Sequence, residues 1–257
     1  MALAPEAHIL QDPQELAAEA ADLFIWLAEQ AIAARGQFAV ALSGGTTPKA
    51  VYNTLTSNRA KLDWSKVLFF FGDERCVPPS HEESNFLMAE TTLFRPLGIP
   101  ETQIFRMKGE AEPDRASREY EVIMRRILRP SSAGWPRFDL VLLGLGPDGH
   151  TASLFPGTEA SKEQSKWVVP GLAPSGIRQR ITITLNVIDH ADVVLFLVAG
   201  AGKASIARDI LDASSAGNSP YPAALVHPKS GRLLWYLDQA AASDLTATKQ
   251  HLSSREE

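Results

Sequence analysis

FDLVLLGLGPDGHTASLFP, residues 138–156, joins an apolar run to a glycine-rich turn, and Asp148, His150 and Thr151 follow within four positions of one another. A run of Leu and Val bounded by Gly and Pro suits a strand covered on both faces. Open α/β sheets bind their ligands in loops that leave the carboxyl ends of such strands. The stretch therefore predicts a buried strand that delivers polar side chains to a cleft.

The flanking sequence repeats the pattern. Upstream, a helix is expected over Pro13–Arg35, with Asp12 as N-cap, Pro13 at the first helical position, Glu15 in the capping-box place, and Leu16, Leu23, Phe24, Leu27 and Ile32 as its buried stripe. Strands follow at Gln37–Leu42 and Lys66–Phe71, each running into a helix, at Pro48–Thr56 and Glu82–Phe94, and Thr102–Met107 reads as a short strand. Pro113–Arg129 reads as a helix with Ala116, Tyr120, Ile123, Ile127 and Leu128 inward. Downstream come strand patterns at Trp167–Val169, Arg180–Leu185, Asp192–Ala199, Ala223–Val226 and Leu233–Leu237, a helix at Lys203–Leu211, and a terminal helix from Ala240. This alternation predicts a mostly parallel α/β sheet with helices on both faces. No linker divides it, since 131–136 and 214–222 read as surface loops, so residues 1–257 are expected to form one domain.

Composition narrows the function classes. A net charge of −5 gives no overall basic field for nucleic acid. No apolar run approaches the ~20 residues of a membrane helix. The first Lys or Arg is Arg35, which argues against a secretory or transit leader, and the single Cys fits a reducing compartment. A cytoplasmic protein is the expectation. The oligomeric state stays open, a monomer being one reading.

Two glycine patterns invite nucleotide readings. Gly144–Gly149 matches G-x-G-x-x-G, but Pro156-Gly157 cut off the helix that a pyrophosphate requires, and Pro147 removes an amide donor. Gly200–Ser205 resembles a P-loop with Ala204 where the magnesium-binding hydroxyl belongs. No cofactor is expected. Ser43-Gly44-Gly45-Thr46-Thr47-Pro48 has a better physical case, because glycines let amides approach an anion and the loop opens a helix. A plain tight turn is an equal alternative for it. A phosphate there also wants cations, for which Arg180 and Lys203 stand at a strand start and a helix start, although either alone reads as surface charge.

Asp73-Glu74-Arg75 puts three charges directly after Phe69-Phe70-Phe71, either as a site or as an internal ion pair. Cys76 carries no nucleophile signature, and no H-E-x-x-H or C-x-x-C spacing suggests a metal. His150 is the best general-base candidate, with Asp148 two residues earlier to orient it, although a lone His after a strand is often just a satisfied polar residue. His8, His81, His190, His227 and His251 lack such a setting. Ser153 is not in a G-x-S-x-G elbow.

Together, SGGTTP at 43–48, GDER at 72–75 with Ser84-Asn85, GLGPDGHTASLFPG at 144–157, RITIT at 180–184 and Gly202-Lys203 resemble the family of glucosamine-6-phosphate isomerases and 6-phosphogluconolactonases, on its lactonase side. The likeness runs in order from about Gln37 to Asp238. It implies a Rossmann-like fold, a small-molecule sugar-phosphate substrate and lactone hydrolysis without metal or organic cofactor. It also implies that Ser43, Gly44, Gly45, Thr46, Arg180 and Lys203 hold phosphate, that Asp73 and Asn85 bind substrate, and that His150 is the base, with Asp148 and Arg75 beside it. The rival readings are an isomerase or deaminase using Asp73 as a carbon-proton base, and a catalytically silent sugar-phosphate sensor.

Overall fold

The computed structural model describes residues 5–131, 133–212 and 219–246. In chain order the elements are β1 (Glu6–Leu10), α1 (Pro13–Arg35), β2 (Phe38–Leu42), α2 (Thr46–Ser57), β3 (Val67–Phe71), β4 (Asp73–Arg75), α3 (Asn85–Ala89), α4 (Arg95–Leu97), α5 (Pro113–Ile127), β5 (Leu140–Gly144), β6 (Val168–Leu172), β7 (Gln179–Ile183), α6 (Leu185–Ile188), β8 (Val193–Val198), α7 (Ala204–Leu211) and β9 (Arg232–Asp238). Six strands form a parallel sheet in the order β1-β9-β8-β5-β2-β3, and β4-β7-β6 form a small antiparallel sheet.

The period of two along each strand builds two cores. Phe38, Val40 and Leu42 of β2, Leu140 and Leu142 of β5, and Val193, Leu195 and Leu197 of β8 pack on one face with α1 and α2. Ala39 and Ala41, Val141 and Leu143, and Val194, Phe196 and Val198 pack on the other with α5 and α7. Each inner strand thus feeds both layers, which is why it reads as an unbroken apolar run.

Helix α1 starts as expected. Asp12 Oδ1 accepts the N–H groups of Gln14 and Glu15 at 2.9 and 2.8 Å. The Glu15 carboxylate reaches back to the N–H of Gln11, one residue before the cap. Leu16 and Phe24 are buried, but Leu23, Leu27 and Ile32 are only partly so; alanines 17, 20, 21, 28 and 31 let the helix lie close to the sheet.

Several elements differ from expectation. β1 is a strand on the edge of the parallel sheet, and β7, carrying RITI, pairs antiparallel with β4 and β6 outside that sheet. The helix expected at 82–94 starts at Asn85 and widens into a π-turn at Glu90–Phe94. There Thr91 and Thr92 donate their hydroxyls to the Leu87 and Met88 carbonyls, competing with the backbone ladder. Residues 102–107 contribute a single bridge, Ile104 to Phe69. Residues 222–225 form a 3-10 turn begun by Pro222, and the segment from Ala240 runs as turns to Thr246. The rest of that expected helix, His251, and residues 214–218 of the expected loop lie outside the described residues.

At the amino ends of β2, β5 and β8, away from the loops that follow those strands, Asp139 accepts from Arg35 at 2.5 Å, from Arg129 at 2.9 Å and from Ala39 N–H at 2.7 Å. Asp192 pairs with Arg129 and Arg137. These pairs fasten the end of α1 and the loop after α5 to the sheet.

Asp189, 5% exposed, accepts the His227 N–H at 2.7 Å and lies 3.9 Å from Lys229 Nζ. Burial pushes its carboxyl up to about 7, against the opposing pull of the His227 N–H and Lys229. The folded value exceeds the unfolded one, so this group stabilises the fold most below about pH 4, and the contribution is lost as pH rises through about 7. Asp189→Asn is therefore expected to gain on the wild type between about pH 4 and 7, by about 2 kcal/mol in urea unfolding, and to keep that gain at higher pH. Parallel pH curves for the two proteins would disprove it.

Candidate active site

Four loops leaving the carboxyl ends of β2, β3, β5 and β8 surround a cleft of about 280 Å³. Its walls include Ser43, Gly44, Gly45, Thr46, Asp73, Arg75, Asn85, His150 and Lys203, nine of the eleven residues singled out in the sequence. The other two, Asp148 and Arg180, do not line it.

The β2 loop is built for close approach. Gly45 caps α2 with φ 105°, a conformation open to glycine, and α2 begins at Thr46, so Pro48 occupies its first turn. Ser43 is fixed by Tyr52, whose hydroxyl accepts the Ser43 N–H at 3.0 Å and donates to the Ser43 carbonyl at 2.8 Å. At the end of β3, Tyr120 does the same for Phe71, at 2.8 and 3.1 Å. Tyr52 comes from one core and Tyr120 from the other.

The three charges after β3 have separate partners. Asp73, 7% exposed, accepts from Asn85 Nδ2 at 3.1 Å and from Ser153 Oγ at 2.6 Å. Glu74, 3% exposed, accepts the N–H groups of Arg75, Asn85 and Phe86, each at 2.8 Å, and the Ser84 hydroxyl at 3.1 Å, so it caps α3. Burial raises its carboxyl above the usual range, although those N–H groups pull it down. Arg75 Nη1 donates to the Glu83 carbonyl at 2.7 Å, and its Nε is buried without a partner. The segment is therefore not an ion pair closed on itself. Arg180 stands opposite Arg75 in the β4–β7 register and also keeps a buried, unpartnered Nε. Burial and the Arg75 charge lower its pKa, although Asp73 pulls upward.

His150 is presented by the turn after β5. Gly146 N–H donates to the His150 carbonyl at 2.8 Å, and the imidazole lies flat enough on Gly146 that an added Cβ there would meet Nδ1 at 2.0 Å. Nδ1 is 2.5 Å from Asp148 Oδ1, and the Phe155 ring packs 4.3 Å from the imidazole. Burial alone would raise the Asp148 carboxyl; the hydrogen bond to His150 and its charge outweigh that and hold it below the usual range. An ionised Asp148 accepts a hydrogen bond from Nδ1–H, which leaves Nε2 as the basic nitrogen. No α-helix follows Gly149 before Leu185, so the turn has no helix N-terminus to offer a pyrophosphate. Lys203 also lines the cleft, at the end of a 3-10 turn that Asp238 fastens by accepting the Gly200 N–H at 3.0 Å. Burial lowers the Lys203 pKa, with Asp148 opposing.

The hydrogen-bonding roles of the Tyr52, Tyr120 and Ser153 hydroxyls and the capping role of Glu74 were not legible in the sequence. The tyrosines sit at buried helical positions with nothing local to mark their hydroxyls, and Ser153 meets Asp73 across 80 residues.

The family description "Glucosamine-6-phosphate isomerases/6-phosphogluconolactonase" matches residues 11–235. A Nostoc protein named 6-phosphogluconolactonase is 38% identical over 240 residues, covering 93% of this chain and 98% of the relative. The Homo sapiens protein of the same name is 38% identical over 243 residues, covering 93% of each. The solved 6-phosphogluconolactonase of Trypanosoma brucei superposes with a TM-score of 0.83 at 30% identity, covering 94% of this chain and 99% of that one.

Proposed function

The chain belongs to the family of glucosamine-6-phosphate isomerases and 6-phosphogluconolactonases, and from that membership we propose that it hydrolyses 6-phospho-D-glucono-1,5-lactone to 6-phospho-D-gluconate, the lactone-opening step of the oxidative pentose phosphate pathway. The observation that carries the chemistry is His150, paired with Asp148, on the wall of a cleft that also contains the Ser43–Thr46 loop and Lys203.

The Ser43–Thr46 amides and Lys203 hold the phosphate, and Arg180 adds positive charge from beside Arg75. Asp73 and Asn85 take up sugar hydroxyls. With the phosphate anchored, the carbonyl at C1 meets a water whose proton passes to His150 Nε2 while its oxygen bonds to C1. Arg75 and the turn amides stabilise the tetrahedral oxyanion. The C1–ring oxygen bond then breaks, and the imidazolium returns its proton to the departing ring oxygen, which becomes the sugar hydroxyl. Asp148 stabilises the imidazolium between the two transfers. The acid product ionises in solution.

The test is turnover of freshly prepared lactone coupled to oxidation of the acid product, with the uncatalysed opening subtracted. Lactone turnover without ammonia release from glucosamine 6-phosphate is the expected result, and the reverse overturns the proposal. Lys203→Ala should raise KM about 10- to 100-fold, the worth of a charge-assisted hydrogen bond of ~1.5–3 kcal/mol, with kcat much less affected. An unchanged KM would remove Lys203 from the phosphate site.

A further inference from the structure

The turn that carries His150 also holds a buried serine that does not line the cleft. Ser153 is 1% exposed, and its Oγ donates to Asp73 Oδ2 at 2.6 Å. The other carboxylate oxygen accepts from Asn85 Nδ2, which donates to the Asp73 carbonyl as well, at 2.9 Å. Ser153 is fixed in turn. Its N–H donates to Thr182 Oγ1 at 3.2 Å, and that hydroxyl, fully buried, donates to the Ile183 carbonyl at 3.0 Å.

The turn between His150 and Ser153 is held at more than one place. Thr151 Oγ1 donates to the Gly144 carbonyl at 2.9 Å, and Leu154 N–H returns to the Thr151 carbonyl at 2.9 Å. Ala152 takes φ 48°, a left-handed conformation that strains a residue with a Cβ and persists where its surroundings enforce it. With this bend, His150 lines the cleft while Ser153 reaches the interior side of Asp73.

A carboxylate left alone turns broadly about its last bond. One held by a separate donor on each oxygen cannot turn without breaking a hydrogen bond. We propose that Ser153 is a positioning residue: it fixes the rotation of Asp73 so that the remaining lone pairs face the cleft as acceptors for a sugar hydroxyl, and it ties the placement of that carboxylate to the turn that presents His150. The inference rests on the lactonase reading for the identity of the substrate.

The test is a double-mutant cycle of Ser153→Ala and Asp73→Ala, read in lactone kinetics, in the Kd for 6-phosphogluconate and in urea midpoints. Ser153→Ala is expected to raise KM and Kd about 10-fold, with kcat within about 3-fold of the wild type. In the Asp73→Ala background the same substitution should change Kd less than about 2-fold, because it has nothing left to hold. A serine that merely filled space would give additive losses. Additivity, or a Ser153→Ala protein with the wild-type KM and Kd, overturns the inference. A wild type that releases ammonia from glucosamine 6-phosphate in place of opening the lactone overturns the functional reading alone, and the same four proteins then decide the positioning role on that reaction.

Discussion

His150→Ala should open the lactone about 10²- to 10⁴-fold more slowly than the wild type while melting with it, the range expected when a positioned general base is removed. The size of the effect follows from how little else in the cleft can do the work. Asp148, released from Nδ1 by the substitution, does not line the cleft, and Asp73 accepts a hydrogen bond on each oxygen. Arg75 and Lys203 are cations. The fold should tolerate the change, since the turn is held by backbone bonds at Gly146 and by Thr151, none of which uses the imidazole. Kd for 6-phosphogluconate should stay close to that of the wild type, because the phosphate loop and Lys203 are untouched. Turnover equal to the wild type after subtraction of the spontaneous rate would remove His150 from the mechanism.

The largest loss of stability is expected from Glu74→Ala. Three backbone N–H groups and one hydroxyl share this carboxylate in the interior, so its removal leaves four donors without their partner. Each buried unsatisfied donor costs about 1–3 kcal/mol, and partial rehydration of the start of α3 recovers some of it, for a net loss of about 3–5 kcal/mol in urea unfolding. Glu74→Gln keeps the shape and one acceptor oxygen and should lose about half as much. Activity should fall with stability in the alanine variant, because Asn85, which α3 carries, also holds Asp73. A loss below about 1 kcal/mol would mean that water replaces the carboxylate and that α3 needs no such cap.

These two residues divide the chemistry between what is local in sequence and what is not. The His150–Asp148 pair was legible because the partners are two positions apart on a turn that glycines and prolines announce. The strands β2, β3, β5 and β8 were legible because burial on both faces makes them continuous apolar runs. β7 was found as a strand, but its alternation of Arg180 and Thr182 with Ile181 and Ile183 belongs to the small antiparallel sheet, where pairing with β4 brings Arg180 opposite Arg75. β4 is three charged residues long and has no apolar signature at all. β1, EAHIL, has no glycine turn beside it and is defined by pairing with β9 more than 220 residues away. Glu74 reads as a site charge until α3 is seen to begin on it. Nothing in the spacing says that its oxygens are already occupied.

The paired phenols at the ends of β2 and β3 bear on how this scaffold can change over time. Tyr52 couples the packing of one layer to the Ser43–Thr46 loop, and Tyr120 couples the other layer to the segment that leads into Asp73. On the proposed function, drift in the interior would reach substrate selection: a repacked helix on either side would shift the backbone at the mouth of the cleft without touching any residue that lines it. A lineage exploring new sugar phosphates would have two independent dials, one per layer, and an engineer seeking altered specificity could begin a library beneath α2 or α5 rather than in the loops.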